Sequence, residues 1–241
     1  TDVASVKLSR RITDIAPGTF SGCMQLKRVT GMERVQQIGY SAFDWCNQLQ
    51  TLNKLSSLKR IDWAAFWRTG GKLSITLPSS IEEIDDYAFS GYLEFTPVRI
   101  KISGSKKFYL KNGCFIKNSG KRKLLLAMKP LRDKEFKVPE GVTDIVTAII
   151  PWSYKMKRLV LPSTLRYVNA WVIVANNGIT QFTSKTPPVC GSLTEIDTVY
   201  NWPYKGIGVQ CRIPKGTKAA YQAAIGKYID VRYYPAKYIE Y

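Results

Sequence analysis

The chain contains no histidine. That removes the commonest general base and the commonest nitrogen ligand for a metal. Its five cysteines, at 23, 46, 114, 190 and 211, form no Cys-x-x-Cys pair. Zinc sites need clustered Cys and His, so no metal or cofactor is expected. The odd count leaves at least one thiol free or paired with another chain. There is no run of about 18 apolar residues, so no membrane-spanning helix is expected. No G-x-S-x-G, phosphate-loop or dinucleotide fingerprint occurs. Carboxylates are scarce, 18 against 36 Lys and Arg. The acidic run Glu82-Glu83 and Asp85-Asp86 reads as solvated turn, and a glycosidase needs two carboxylates held about 5–10 Å apart across a cleft. Nothing selects such a pair, and no enzymatic activity is expected.

What the chain has in excess is positive charge, +18 over 241 residues. Residues 101–137 hold twelve Lys or Arg and two acids, a net of +10 and over half the total. Such a field attracts polyanions, acidic proteins or membrane surfaces. Ten of the twelve are lysine, which leans away from bidentate phosphate or base recognition. No nucleic-acid-binding motif accompanies them, so nucleic acid is not an expected partner.

The apolar residues are periodic. Phe20, Phe43, Phe66 and Phe89 recur every 23 residues. Ile12, Val35, Leu58 and Ile81 keep the same step. So do Ile15, Ile38, Ile61 and Ile84, and Val29, Leu52, Ile75 and Val98. A fixed period in the range of about 20–50 residues signals a repeat architecture. Four repeats are read over residues 12–98. The period then breaks over FYLKNGCFIKNSGKRKLLLAMKP, residues 108–130. Asn112-Gly113 and Asn118-Ser119-Gly120 are turn signals there, and an inserted hairpin or meander is expected. The repeat resumes with Val142-x-x-Ile145, Ile150 and Leu159, then Leu165-x-x-Val168, Ile173 and Phe182. Leu77-Pro78, Val138-Pro139 and Leu161-Pro162 each stand just ahead of a repeat, where proline ends a strand. Residues 183–241 differ. Gly208 to Pro214 reads as a strand, and KAAYQAAIGKY as a helix with Thr217 at its N-cap and Ala220, Tyr221, Ala224 and Tyr228 inward.

The unit resembles the bacterial leucine-rich repeat of the BspA-like (Treponema pallidum-type) class. Val35 to Leu52, VQQIGYSAFDWCNQLQTL, carries it best. Leu77 to Phe89 and Leu161 to Leu165 also fit, and IPKGTKAAYQAA resembles a capping segment. Thr69 and Tyr92 depart from the cysteine position, Ile150 and Ile173 from the phenylalanine. The resemblance implies an α/β-type repeat solenoid with one short parallel strand per repeat on a concave face, interrupted by a β-hairpin insert. Residues 1–182 would be the solenoid, with the insert at about 99–138, and 183–241 a cap with a strand and a short helix. It further implies a secreted or surface-anchored, non-enzymatic protein that binds an extracellular protein or glycan. Thr1 in place of Met fits a removed targeting or lipid-anchor segment, or an excised piece.

Along strands of the form apolar-x-x-apolar-x-apolar, side chains alternate between core and solvent. Two exposed columns follow from the 23-residue step. One is Arg28, Thr51, Ser74, Pro97, Arg158 and Gln181. The other is Thr30, Asn53, Thr76, Arg99, Val160 and Thr183. They suit hydrogen bonding to a protein or glycan, and they equally fit a merely solvated strand face. Lys106, Lys107, Lys111, Lys117, Lys121, Arg122 and Lys123 are a candidate basic patch for acidic or sulfated glycans, or a solubilising face. The tryptophans at 45, 63, 67, 152, 171 and 202 are expected to pack between repeats. Cys23 and Cys46, one period apart, read as stacked free thiols. Cys190 and Cys211 flank the tail and could bridge.

Overall fold

The computed structural model describes residues 2–69, 73–89, 99–128, 134–146, 156–174, 178–191, 209–229 and 236–241. Pro97, Val98, Tyr92, Ile150, Trp152 and Trp202 lie outside the described residues, as does the side chain of Trp171. The chain folds as two compact units, 1–119 with 126–130, and 120–125 with 131–241.

The first unit is a parallel-strand solenoid. Strands Ser5–Lys7, Arg28–Thr30, Thr51–Leu52, Ser74–Leu77 and Arg99–Ile102 form one five-stranded ladder. Strands Asp14–Ile15, Gln37–Ile38, Arg60–Ile61 and Glu83–Ile84 form a second, of four. Each repeat thus contributes two strands, where the sequence led us to expect one. The apolar-x-x-Ile segment is itself a ladder, with Asp14 beside Gln37, Gln37 beside Arg60 and Arg60 beside Glu83. One ladder strand, Ser5–Lys7, precedes the first repeat read from the sequence, with Ser5 beside Arg28.

A third set of bonds joins the turns. Phe20, Phe43 and Phe66 donate their amides to Ala42, Ala65 and Ala88, at 2.8, 2.8 and 2.9 Å. Gly18 and Ser41 do the same to Tyr40 and Trp63. The turn needs left-handed backbone at fixed places. Gly18, Ser41 and Ala64 have φ of 66°, 48° and 51°, and Gly22, Trp45 and Arg68 have 73°, 59° and 53°. The first repeat meets this demand with glycine. The later repeats hold side-chain-bearing residues there, at a cost of about 1–2 kcal/mol each.

The phenylalanine ladder is the core of this unit. Ring centroids are 5.2 Å apart from Phe20 to Phe43, 5.5 Å to Phe66 and 5.4 Å to Phe89, with interplanar angles of 17°, 2° and 7°. Phe89 then meets Phe115 edge-on at 6.1 Å. Phe43 and Phe66 are fully buried, each stabilising the fold by about 2–3 kcal/mol. Phe115 belongs to strand Cys114–Ser119, antiparallel to Phe108–Lys111. Their turn is Asn112-Gly113, with φ of 49° and 77°. Two consecutive positive φ values make a type I′ turn, whose twist matches a hairpin.

In the second unit, Glu135–Lys137, Arg158–Leu161, Ile179–Phe182, Gln210–Ile213 and Lys237–Glu240 form a five-stranded parallel ladder. A second ladder runs from Leu124, in strand Arg122–Met128, through Asp144–Ile145 and Tyr167–Asn169 to Val189–Gly191. Helix among the described residues is confined to Ala170–Val174 and to 218–229. The latter contains a π-helical stretch, Gln222–Gly226. That wider turn changes which side chains point inward: Tyr221, Ile225 and Ile229 are buried, whereas Ala220 is exposed, against the sequence expectation. Thr217 gives no side-chain cap, because its hydroxyl donates to the Pro214 carbonyl at 2.6 Å. A carboxylate oxygen of Glu240 instead accepts from the amides of Gly216 and Lys218, at 3.0 and 3.1 Å. All five cysteines are free thiols, including Cys190 and Cys211.

Candidate functional site

On the first ladder of the first unit, Val29, Leu52, Ile75 and Leu77 are buried and the residues between them face outward. Arg28, Thr51, Ser74 and Arg99 form one outward row, joined to Ser5. Thr76 lies beside Lys101, and Thr30 beside Lys7. This corrects the expected columns. Arg99 stands in the row of Ser74, not that of Thr76, because 25 residues separate Ser74 from Arg99 where the repeat has 23. Asn53 follows its strand and is exposed, donating its backbone amide to Val29. The strands of this ladder contain no Asp or Glu. Its outward face carries hydroxyls at the centre and Lys7, Arg28, Arg99 and Lys101 toward the ends.

In the second unit, Arg158 lies beside Glu135 and Ile179, and Gln181 beside Val160 and Arg212. Gln181 was expected in the column of Arg158. The step from Arg158 to Ile179 is 21 residues, which moves it over by two. Arg158 pairs with Glu135 at 3.2 Å. Gln181 Oε1 is buried without a hydrogen-bond partner. Val160 is half-buried in the same row, and the Thr183 hydroxyl donates to the Leu161 carbonyl at 2.9 Å. Arg212 lies 4.8 Å over the Tyr241 ring.

The basic stretch is less free than its composition suggested. In the first unit, Lys117 donates to Asp86 Oδ1 at 2.7 Å and to the Ile84 carbonyl at 3.0 Å. Lys107 donates to the Glu82 carbonyl at 2.7 Å. Lys106 and Lys111 are exposed. In the second unit, Arg122 pairs at 3.0 Å with Asp144, whose side chain is buried. Asp144 also accepts from Thr143. Lys121 is exposed and Lys123 half-buried. Lysines that hold acids and carbonyls in place contribute less to a field for external anions.

What the sequence did not reveal is that the cysteine position of the repeat is a hydrogen-bond donor. Cys46 Sγ donates to the Phe20 carbonyl at 3.1 Å, and one period later Thr69 Oγ1 donates to the Phe43 carbonyl at 2.9 Å. In these two repeats the position holds a small buried donor, a thiol in one and a hydroxyl in the other. Burial pushes the Cys46 thiol up to about 12, with a smaller push from Cys23. Burial likewise pushes Cys190 up to about 12. Neither is a reactive nucleophile. No group of three or more Cys, Asp or Glu among the described residues could hold a metal ion.

Residues 1–120 match the family model of the BspA type leucine rich repeat region, in 6 copies. Through those residues the chain belongs to the BspA-type leucine-rich repeat family. The solved structure of the pneumococcal vaccine antigen PcpA resembles this leucine-rich repeat chain with a TM-score of 0.52 and 14% identity, over 99% of this chain and 79% of that one. A leucine-rich repeat protein from Eubacterium ventriosum resembles it with a TM-score of 0.50 and 14% identity, over 91% and 68% of the two chains. At that identity the likeness speaks for the leucine-rich repeat fold alone. No curated protein matches the chain. No helix among the described residues is long and apolar enough to cross a membrane.

Proposed function

We propose that this leucine-rich repeat protein is a non-catalytic, cell-surface or secreted protein that binds an extracellular macromolecular partner through the outward face of its first ladder. The observation that carries this reading is the row Arg28, Thr51, Ser74 and Arg99 with its neighbours Thr30, Thr76 and Lys101, a strand face without a carboxylate. Short hydroxyl side chains leave the backbone approachable and offer donors and acceptors. Flanking arginines add charge-assisted bonds to an acidic protein surface. In the second unit, Arg158 and Gln181 are candidate contact residues in separate rows, Arg158 beside and paired with Glu135. Residues 183–241 act as the terminal covering that stacked repeats require.

The test is capture of extracellular matrix and bacterial surface proteins on immobilised protein, repeated with Arg28→Glu and Arg99→Glu. The expected result is a captured partner whose affinity falls about tenfold or more in the double variant. Unchanged capture removes this face from the reading.

A second reading, binding of acidic or sulfated glycans, is supported in each unit by itself, by the exposed Lys106 and Lys111 in the first and by the exposed Lys121 with the half-buried Lys123 in the second. Heparin chromatography at rising salt separates the two. Retention abolished by neutralising these four lysines supports glycan binding, and no retention at low salt eliminates it.

A further inference from the structure

The second ladder of the first unit carries a site of different chemistry. Its outward row, Asp14, Gln37, Arg60 and Glu83, opens onto a groove of about 390 Å³. Its charged lining is Asp14, Glu82 and Glu83 against Lys59, Arg60 and Lys107. Acids and bases are balanced here, in a protein whose bases outnumber its acids 36 to 18. The groove therefore offers no net field to a polyanion or a polycation.

A row of aromatic rings follows the groove's residues along the chain, three positions on from Gln37 and Arg60 and four on from Glu83. Gln37 Nε2 and Arg60 Nε both donate to the Asp62 carboxylate, at 2.7 and 2.6 Å, and Arg60 reaches Glu83 at 3.2 Å. Asp62 is followed directly by Trp63. Tyr40 stacks on Trp63 at 5.1 Å and 6°, and Tyr87 leans against Trp63 at 6.4 Å and 36°. Trp67 meets Trp63 edge-on at 6.0 Å. Tyr40 is 50% exposed and Tyr87 37% exposed. Trp63 and Trp67 were expected to pack between repeats; Trp63 stacks on Tyr40 of the preceding repeat, and the row leaves Tyr40 and Tyr87 exposed, one on each side of Trp63.

We propose that the groove and the aromatic row together bind a neutral saccharide chain. Sugar rings present apolar C–H faces and a rim of hydroxyls that both donate and accept. The exposed rings of Tyr40 and Tyr87 match the first requirement. Planar amide, guanidinium and carboxylate groups, held in place by one another, match the second and do not demand a charged ligand. The groove is of the size that holds small ligands, about 300–1,000 Å³. The site is separate from the first-ladder face and stands or falls independently of it.

Tryptophan fluorescence of the whole chain is to be titrated with cellohexaose, maltohexaose, mannohexaose, xylohexaose and chitohexaose. The expected result is a saturable change with at least one of them. Tyr40→Ala and Gln37→Ala should each weaken it about tenfold or more. Tyr40→Phe should restore it, and Arg28→Glu with Arg99→Glu should leave it unchanged. Circular dichroism checks that the variants are folded; Tyr40 is half exposed, so its replacement spares the core. No response to any of the five overturns the proposal. So does a response indifferent to Tyr40→Ala and Gln37→Ala, or one seen only with heparin and abolished by salt.

Discussion

Cys46 and Phe20 are joined across 26 residues by a thiol that donates to a carbonyl at 3.1 Å, and the repeat stacks through this contact. Thr69 makes the same contact to Phe43 with a hydroxyl, at 2.9 Å. The two residues should therefore be interchangeable, while an isosteric apolar residue should not serve. We expect Thr69→Val to cost about 1 kcal/mol, the ordinary worth of a buried neutral hydrogen bond, and Cys46→Thr to stay within about 0.5 kcal/mol of the parent. Urea denaturation of the two variants measures both. A harmless Thr69→Val would show that the donor is incidental.

Thiol reactivity should follow burial. Cys46 and Cys190, with thiols pushed up to about 12 by burial, should resist maleimide in the native state near neutral pH, whereas Cys23 is half-exposed and should react first. Both buried thiols hold their protons more tightly folded than unfolded. Their contribution is complete below the ordinary thiol value of 9.0 and is lost as pH rises from there toward about 12. In that window the unfolded state releases the proton first, so stability falls by up to about 1.4 kcal/mol per pH unit for each thiol. Burial shifts the Tyr221 phenol in the same direction. A thermal-melt series from pH 8 to 11 should decline less steeply in Cys46→Thr with Cys190→Ser.

The left-handed turn positions make a prediction that removes a side chain and gains stability. Gly31 and Lys54 lie one period apart with φ of 77° and 43°. Lys54 is exposed. Lys54→Gly should relieve the left-handed penalty of about 1–2 kcal/mol at the expense of glycine's larger unfolded entropy, a net gain of about 0.5–1 kcal/mol. The reverse change at Gly31 should be severe, since a Cβ there would sit 2.5 Å from the Leu8 carbonyl oxygen. Melting temperatures that move in opposite directions would support the account.

The repeat and its core were legible because a side-chain period of 23 residues survives in Phe20, Phe43, Phe66 and Phe89, whose rings do stack. What could not be read was register wherever the loop length changed. Arg99 and Gln181 each stand two places from the column that a fixed period assigns them. Composition also concealed direction. Lys107, Lys117 and Arg122 count toward a basic patch, yet each is bonded to a carboxylate or a main-chain carbonyl. The Glu240 contact to Gly216 and Lys218 is invisible to any local pattern, because it joins residues more than 20 apart.

That contact is itself testable. Glu240 gives two amides at the start of the 218–229 helix a charged acceptor, where the helix dipole favours negative charge. Glu240→Ala should cost about 0.5–2 kcal/mol and Glu240→Gln less. Amide hydrogen exchange should report it locally, with faster exchange at Gly216 and Lys218 and no change at the Phe20 to Phe66 turns.

Lys117 separates a structural lysine from a recognition lysine. Its ammonium is 2.7 Å from Asp86 and 3.0 Å from the Ile84 carbonyl, and its side chain is 19% exposed. Removing it strands a half-buried carboxylate whose own side chain is 30% exposed. We expect Lys117→Ala to destabilise the first unit by about 1–3 kcal/mol, the range for losing a charged hydrogen bond with its partner left behind. Asp86→Asn should weaken the same contact less, since an amide oxygen still accepts. Retention on heparin should not change when Lys117→Ala is combined with Asp86→Asn while the protein remains folded, because the pair is then removed as a neutral unit. Lys106→Gln and Lys121→Gln should show the opposite pattern, with stability within about 0.5 kcal/mol of the parent and earlier elution. If Lys117→Ala shifts elution as far as Lys121→Gln and leaves the melt untouched, the pair with Asp86 does not hold in solution and Lys117 is a recognition lysine.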